Sequence, residues 1–270
     1  MADSKFFSVL RHSFGVFSSR PIFILPKFLV ALLYGFAMLA VADVSLDVLF
    51  VPELVTLDEL FFLLVVTFGI NVLDIFVASL YPFMVRQAES GKKVSLVFAA
   101  KEAFSRMGSF LPSLLAVELL FLVAAIFFGV VSVAVVFGAI SSGLEFEVFF
   151  AVLLAVAFIF ALLLLGFVFF FYLLYPIVAY EKNSVSHSLS RSVSLSLKNK
   201  WGVGKATLLS FLLSVISFAL AFLIEAFPSG PQSVLYWAGF LLTRFLVAYV
   251  YSYLYVLNPV FYYKYVGGVK

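Results

Sequence analysis

The sequence predicts an all-helical integral membrane protein with six transmembrane helices and three short amphipathic helices on one membrane surface. Three observations carry this. Hydrophobic residues fill 65% of the 270 positions and charged residues 11%, with a mean hydropathy of +1.20, far from the balance of a soluble domain. Six apolar runs, at 22–42, 60–85, 110–140, 147–179, 203–224 and 234–262, each reach the ~20 residues needed to cross a hydrocarbon core ~30 Å thick. Charge is also segregated. All seventeen Lys and Arg except Arg244 fall on one side, at the two termini, in the stretches between runs two and three and between runs four and five, or, as Lys27 and Lys205, within the first few residues of the run that follows. The opposite connections carry Asp43, Asp47, Glu53, Asp58, Glu59, Glu145, Glu147 and Glu225 and no basic residue. The positive-inside rule places both termini in the cytoplasm of a cell-membrane protein. The net charge of +3 sums two unlike faces and gives no argument for nucleic acid. The expected partners are the bilayer and a protein on the cytoplasmic face.

Taken in order, residues 5–19 set Phe6, Leu10, Phe14 and Phe17 at helical spacing with Lys5, Arg11 and His12 elsewhere, the pattern of an interfacial helix. Pro21 stops it. No secretory-signal pattern is expected there, since Arg11 and His12 break the apolar stretch. The first span leads to an acidic loop, and the second contains Asn71 and Asp74. A turn at Glu89-Ser90-Gly91 precedes a second surface helix, 93–107, with Val97, Ala100, Phe104 and Met107 as its apolar stripe. The third span carries Glu118; the fourth is apolar all round. In 184–199 serine occupies every even position from 184 to 196, a strand-like alternation, yet Val185, Leu189, Val193 and Leu197 form a helical stripe. A lone strand would leave its edges unpaired, so a helix is predicted. Ser210, Ser214, Ser217 and Ala221 give the fifth span a small-residue face suited to close approach. The sixth holds Thr243, Arg244, Tyr249, Tyr251, Tyr253 and Tyr255, and is predicted to face the protein interior.

The chain reads as a single membrane domain of three pseudo-repeats, about 1–90, 91–182 and 183–270. The exits from the membrane read Leu80-Tyr81-Pro82, Leu174-Tyr175-Pro176 and Leu257-Asn258-Pro259. The entries read Arg20-x5-Pro26, Arg106-x5-Pro112 and Lys198-x5-Gly204. Units of roughly 90 residues, each one surface helix and two spans, suggest triplication.

Chemistry has few places to reside. The chain has no Cys, which excludes disulfides, thiolate nucleophiles and Cys metal sites. His12 and His187 stand apart from other ligands, so no metal or other cofactor is predicted, and the serines lack a nearby base or a nucleophile elbow. Asp74, Glu118 and Arg244 lie inside apolar runs, where each costs roughly 2.5–3.5 kcal/mol at mid-helix and calls for a partner or water. Counted at about 1.5 Å per residue, Asp74 and Glu118 both lie ~12 Å from the basic side and are expected to share a cavity. Arg244, nearer the acidic side, is expected to meet Glu225, Asp58 or Glu59. The three are a candidate proton or cation path, or else structural pairs between helices. Arg106, Arg191 and Lys198 are expected to form a basic collar for lipid or a partner.

Pro176-Ile177-Val178-Ala179-Tyr180-Glu181, followed by Ser188-Leu189-Ser190-Arg191-Ser192, resembles the P-x-V-x-x-E … A-L-x-R-S stretch of six-helix prokaryotic membrane proteins of unknown function. These include the membrane domain of some glycerophosphoryl diester phosphodiesterases. Ser188 departs from the pattern, which has Ala there. The resemblance implies a membrane part without the hydrolase domain, and it carries over no catalytic residue. The function expected is that of a non-catalytic accessory or scaffold protein, binding lipid or a partner at its cytoplasmic face. The alternative is a transport subunit similar to ABC-2 permeases, although the short 226–233 connection leaves no room for the re-entrant helices usual in that family.

Overall fold

The computed structural model describes residues 2–40, 56–141, 146–181, 184–225 and 233–267, and over these it is helical. In chain order the α-helices are α1 (Ala2–Ser18), α2 (Ile24–Ala40), α3 (Leu57–Glu89), α4 (Leu96–Ser105), α5 (Met107–Ser141), α6 (Phe146–Phe171), α7 (Leu174–Glu181), α8 (Val185–Lys198), α9 (Lys200–Glu225) and α10 (Val234–Phe261). A 3-10 turn, Pro21–Phe23, joins α1 to α2, and a π-helical turn, Tyr262–Val266, ends α10. The acidic 43–53 loop, the turn at 142–145, Lys182 and the 226–232 connection lie outside the described residues.

Five helical stretches are long and apolar enough to cross a membrane, or six if α1 and α2 are taken together. α2 has 17 residues over its described part and is bent by 93° from α1. The bend is local chemistry: Arg20 is extended, with φ −141°, and Pro21 then opens the 3-10 turn, where its missing N–H removes no helical bond.

Around the bundle α2, α3, α5, α6, α9 and α10 pack each on the next; α10 closes on α2 and also touches α3. The α2–α10 contact is close because Gly35 lies against Phe240 and the Arg244 side chain, where any Cβ would collide. The core does not run the length of the bundle. It gathers at one end, here termed the basic end, where α1, α4, α7, α8 and the π turn also meet the long helices. The most apolar windows of α5 and α6 bury almost nothing within the chain; they hold each other through ring contacts such as Phe128–Phe160, 5.1 Å apart.

The three Pro-centred segments form the middle of that core. Leu80 to Met84, Leu174 to Val178 and Leu257 to Phe261 are buried throughout, except that Tyr175 is partly so. They are also tied to one another. The Tyr180 hydroxyl donates to the Pro82 carbonyl at 2.6 Å, and the Tyr180 and Tyr263 rings lie 4.8 Å apart. Tyr262 donates to Glu181. Asn258 Nδ2 donates to the Tyr172 carbonyl. That last bond has a definite cause: Pro176 has no N–H to give the carbonyl four residues back, and a carbonyl freed in an apolar bundle must find another donor. Pro82 and Pro259 lie within α3 and α10, so these helices continue past the expected exits.

The serine-rich segment is a helix, α8, and its serines explain the alternation. Ser188, Ser192 and Ser196, spaced by four, are fully buried with Leu195, whereas the Val185/Leu189/Val193/Leu197 stripe lies on the flank and Leu197 is exposed. Ser192 and Ser196 donate to the Phe170 carbonyl at 2.9 and 3.4 Å, satisfying one of the carbonyls left over where α6 ends. In α4 the inward face is likewise small: Ala99 and Ala103 are buried, while Val97 is 81% and Phe104 74% exposed.

Candidate functional site

Two groups of polar residues stand apart from ordinary packing: a cluster between α2, α3 and α10, and a basic rim at the basic end.

In the cluster, Lys27 of α2 forms an ion pair with Asp74 of α3. The Lys27 side chain is 10% accessible and that of Asp74 30%. The Tyr255 hydroxyl donates to the other Asp74 oxygen at 3.4 Å. The ammonium also lies 5.3 Å from the centre of the Tyr251 ring and 5.2 Å from that of Tyr255, within range of the attraction between a cation and a ring quadrupole. Tyr255 continues the cluster to Tyr81 and Tyr175, with ring centres 5.2 and 6.1 Å away. Tyr81 in turn donates to the Phe23 carbonyl at 2.8 Å and shares a hydrogen bond with Ser252 at 2.9 Å.

Glu118 lies on an exposed face of α5, near enough to Asp74 for their charges to interact. Arg244 is placed elsewhere: its guanidinium lies 5.0 Å over the Phe240 ring. The Glu59 and Glu225 side chains expected near it fall outside the described set, and Asp58 is exposed. Lys27 is the member that sequence reasoning missed, having been counted with the N-terminal basic residues. Its position directly after Pro26, inside the first apolar run, was the available signal.

At the rim, Arg106 is the single residue joining α4 to α5. It donates to the Ala179 carbonyl of α7, and its guanidinium sits 5.7 Å from the centre of the Phe83 ring. Burial lowers its pKa from the usual guanidinium value, opposed by Glu102 and reinforced by Arg86. Arg191 pairs with Glu181 at 3.4 Å, so the two charged positions of the P-x-V-x-x-E … R-S stretch meet in space. Lys198 is exposed at the end of α8, near the exposed Trp201. A second network joins α1, α3 and the π turn. Glu89 takes His12 Nε2 at 2.6 Å on one oxygen and Lys264 at 3.1 Å on the other, and Lys5 donates to the Tyr265 carbonyl at 3.0 Å.

Among the described residues no three of His, Asp and Glu come together as a metal site requires. No family model, curated protein or solved structure matches the chain.

Proposed function

We propose that the chain is a six-span protein of the cell membrane with both termini in the cytoplasm, and that it acts without catalysis as an accessory or scaffold protein. It binds anionic lipid or a protein partner at its cytoplasmic face. The carrying observation is the lopsided construction. Short helices, aromatic ties and most basic residues gather at one end, while the remaining lengths of α5 and α6 bury almost nothing inside the chain. A right-angle bend between α1 and α2 suits a helix lying along a membrane surface. Exposed Val97, Phe104 and Trp201 beside Lys101, Lys198 and Lys200 suit the same level, with apolar groups toward acyl chains and ammonium groups at the headgroups. A short helix stands ahead of two long ones twice, α4 before α5 and α6 and α8 before α9 and α10, and this order, with the convergence of the three Pro segments, supports triplication. The likeness to the membrane domain of glycerophosphoryl diester phosphodiesterases belongs with this reading, supported by the Glu181–Arg191 pair.

Orientation is tested by single cysteines. Those at Ser45 and Ser142 are expected to react with an impermeant thiol reagent in intact cells, and those at Ser90 and Ser190 only after permeabilisation; labelling of Ser90 in intact cells reverses the topology.

Function at the rim is tested on anionic liposomes. Replacing Arg191 and Lys198 by Gln is expected to lower binding in a salt-dependent way, about 1 kcal/mol for each charge near the surface. Undiminished binding at low salt reduces these residues to topology signals. Arg106→Gln is expected to loosen α5 from α7 instead, because Arg106 holds a backbone carbonyl.

A second reading, as a transport subunit, draws on the partly buried Asp74 and exposed Glu118. It requires an ion or proton flux in reconstituted vesicles that Glu118→Gln abolishes while the fold is retained.

A further inference from the structure

We infer that the groove between α1 and the end of α3 is a binding site for a phosphate group, carried by the headgroup of an anionic phospholipid. This deepens the reading of the basic end as a lipid-binding face and rests on it. The groove has a volume of about 590 Å³ and is walled by Arg11, His12, Arg20 and Glu89, with Gly15 and Ala88 among the residues that line it.

Three features give it a ligand chemistry. The first is charge. Both oxygens of Glu89 are already engaged, one in a hydrogen bond with His12 and the other in an ion pair with Lys264. Arg20 directs one nitrogen to the Val16 carbonyl and the Ser19 hydroxyl, and among the described residues neither Arg11 nor Arg20 pairs with a carboxylate. Two guanidinium groups therefore face one cavity with their charge uncompensated, and guanidinium forks match phosphate oxygens. The second is space. Nothing lies within 4 Å of where a Gly15 Cβ would stand, so a ligand can approach the helix backbone there. The third is location. Phe7 and Phe14, seven residues apart and so on one face of α1, are 66% and 51% exposed. At about 100° per residue Arg11 falls beside that face, between it and the groove. With the two phenyl rings among acyl chains, Arg11 stands at headgroup level. A soluble phosphate would use the guanidinium groups and leave the rings without a role.

The experiment uses the whole chain, purified from nanodiscs of phosphatidylcholine containing a minor fraction of phosphatidylglycerol, with lipid retained in detergent read by native mass spectrometry. Wild type is expected to keep phosphatidylglycerol in preference to phosphatidylcholine. Arg11→Gln with Arg20→Gln is expected to lower that retention by about tenfold or more, since two charge-assisted contacts are lost. Gly15→Leu keeps both arginines and replaces a poor helix former by a good one, yet fills the open space; it is expected to lose retention as well. Arg191→Gln with Lys198→Gln serves as the comparison. If that variant loses the lipid and the groove variants keep it, the groove is overturned and the broader reading of the basic end stands. If wild type keeps no anionic lipid, the groove falls together with the reading of the basic end as a lipid-binding face. Displacement of the bound lipid by inorganic phosphate or glycerol phosphate would retain the phosphate site and overturn the headgroup as its source.

Discussion

Lys27→Met is expected to destabilise the protein by about 3–5 kcal/mol, because it strands the Asp74 carboxylate inside the bundle. The Lys27–Asp74 pair joins α2 to α3, and the Tyr255 hydroxyl brings α10 into it. An ion pair between helices in an apolar medium adds little over well-packed apolar side chains of the same volume, but half of one is costly. The sharper expectation is therefore a rescue: Lys27→Met combined with Asp74→Leu should recover most of the stability lost by the single change. Denaturation of the purified chain in mixed micelles, followed by far-UV circular dichroism, reads both. A double variant no more stable than Lys27→Met would show that the lysine contributes through packing against Tyr251 and Tyr255, and not through charge. Asp74→Asn is expected to be milder, about 1–3 kcal/mol, because an amide still accepts a hydrogen bond from Lys27.

This pair marks where the sequence ceased to be legible. Hydropathy identified the long helices because the bilayer imposes one dominant requirement, length of apolar surface, which a single chain displays directly. α5 and α6 make the point: they pack on little within the chain, and composition alone predicted them. Which residues meet across the bundle depends on rotation of each helix about its own axis, and composition specifies that poorly when every face is apolar. Lys27 looked like one more topology charge because it sits at the start of a run, although the 3-10 turn at Pro21–Phe23 sets it inside the bundle. In α8 the expected apolar stripe was placed one face away from the most buried one, since small serines let the helix approach closely and two of them supply donors to the Phe170 carbonyl near the end of α6. The threefold spelling of Leu-x-Pro was visible in the sequence, but its use as the centre of the core was not, because the prolines were read as helix ends.

The centrality of those segments makes Tyr81 the residue whose truncation should cost most within the shared core. Its side chain is fully buried, its hydroxyl serves the Phe23 carbonyl and Ser252, and its ring lies against Phe23 and Tyr255, with centres 6.5 and 5.2 Å away. Tyr81→Phe is expected to cost about 1–2 kcal/mol by leaving those two polar groups without their partner. Tyr81→Ala should cost about 3–5 kcal/mol, since a cavity is added to the lost contacts. Leu120→Ala on the exposed face of α5 is expected to fall within about 0.5 kcal/mol of wild type. The decisive measurement is a double-mutant cycle between Tyr81→Ala and Tyr175→Ala. The two residues come from different units of the proposed repeat and share Tyr255 as a neighbour. Residues that share a partner couple by about 0.5–3 kcal/mol, whereas sites in independent units simply add. Additive costs would mean that the three Pro segments stabilise their own units separately, and a common core at the basic end would have to be abandoned.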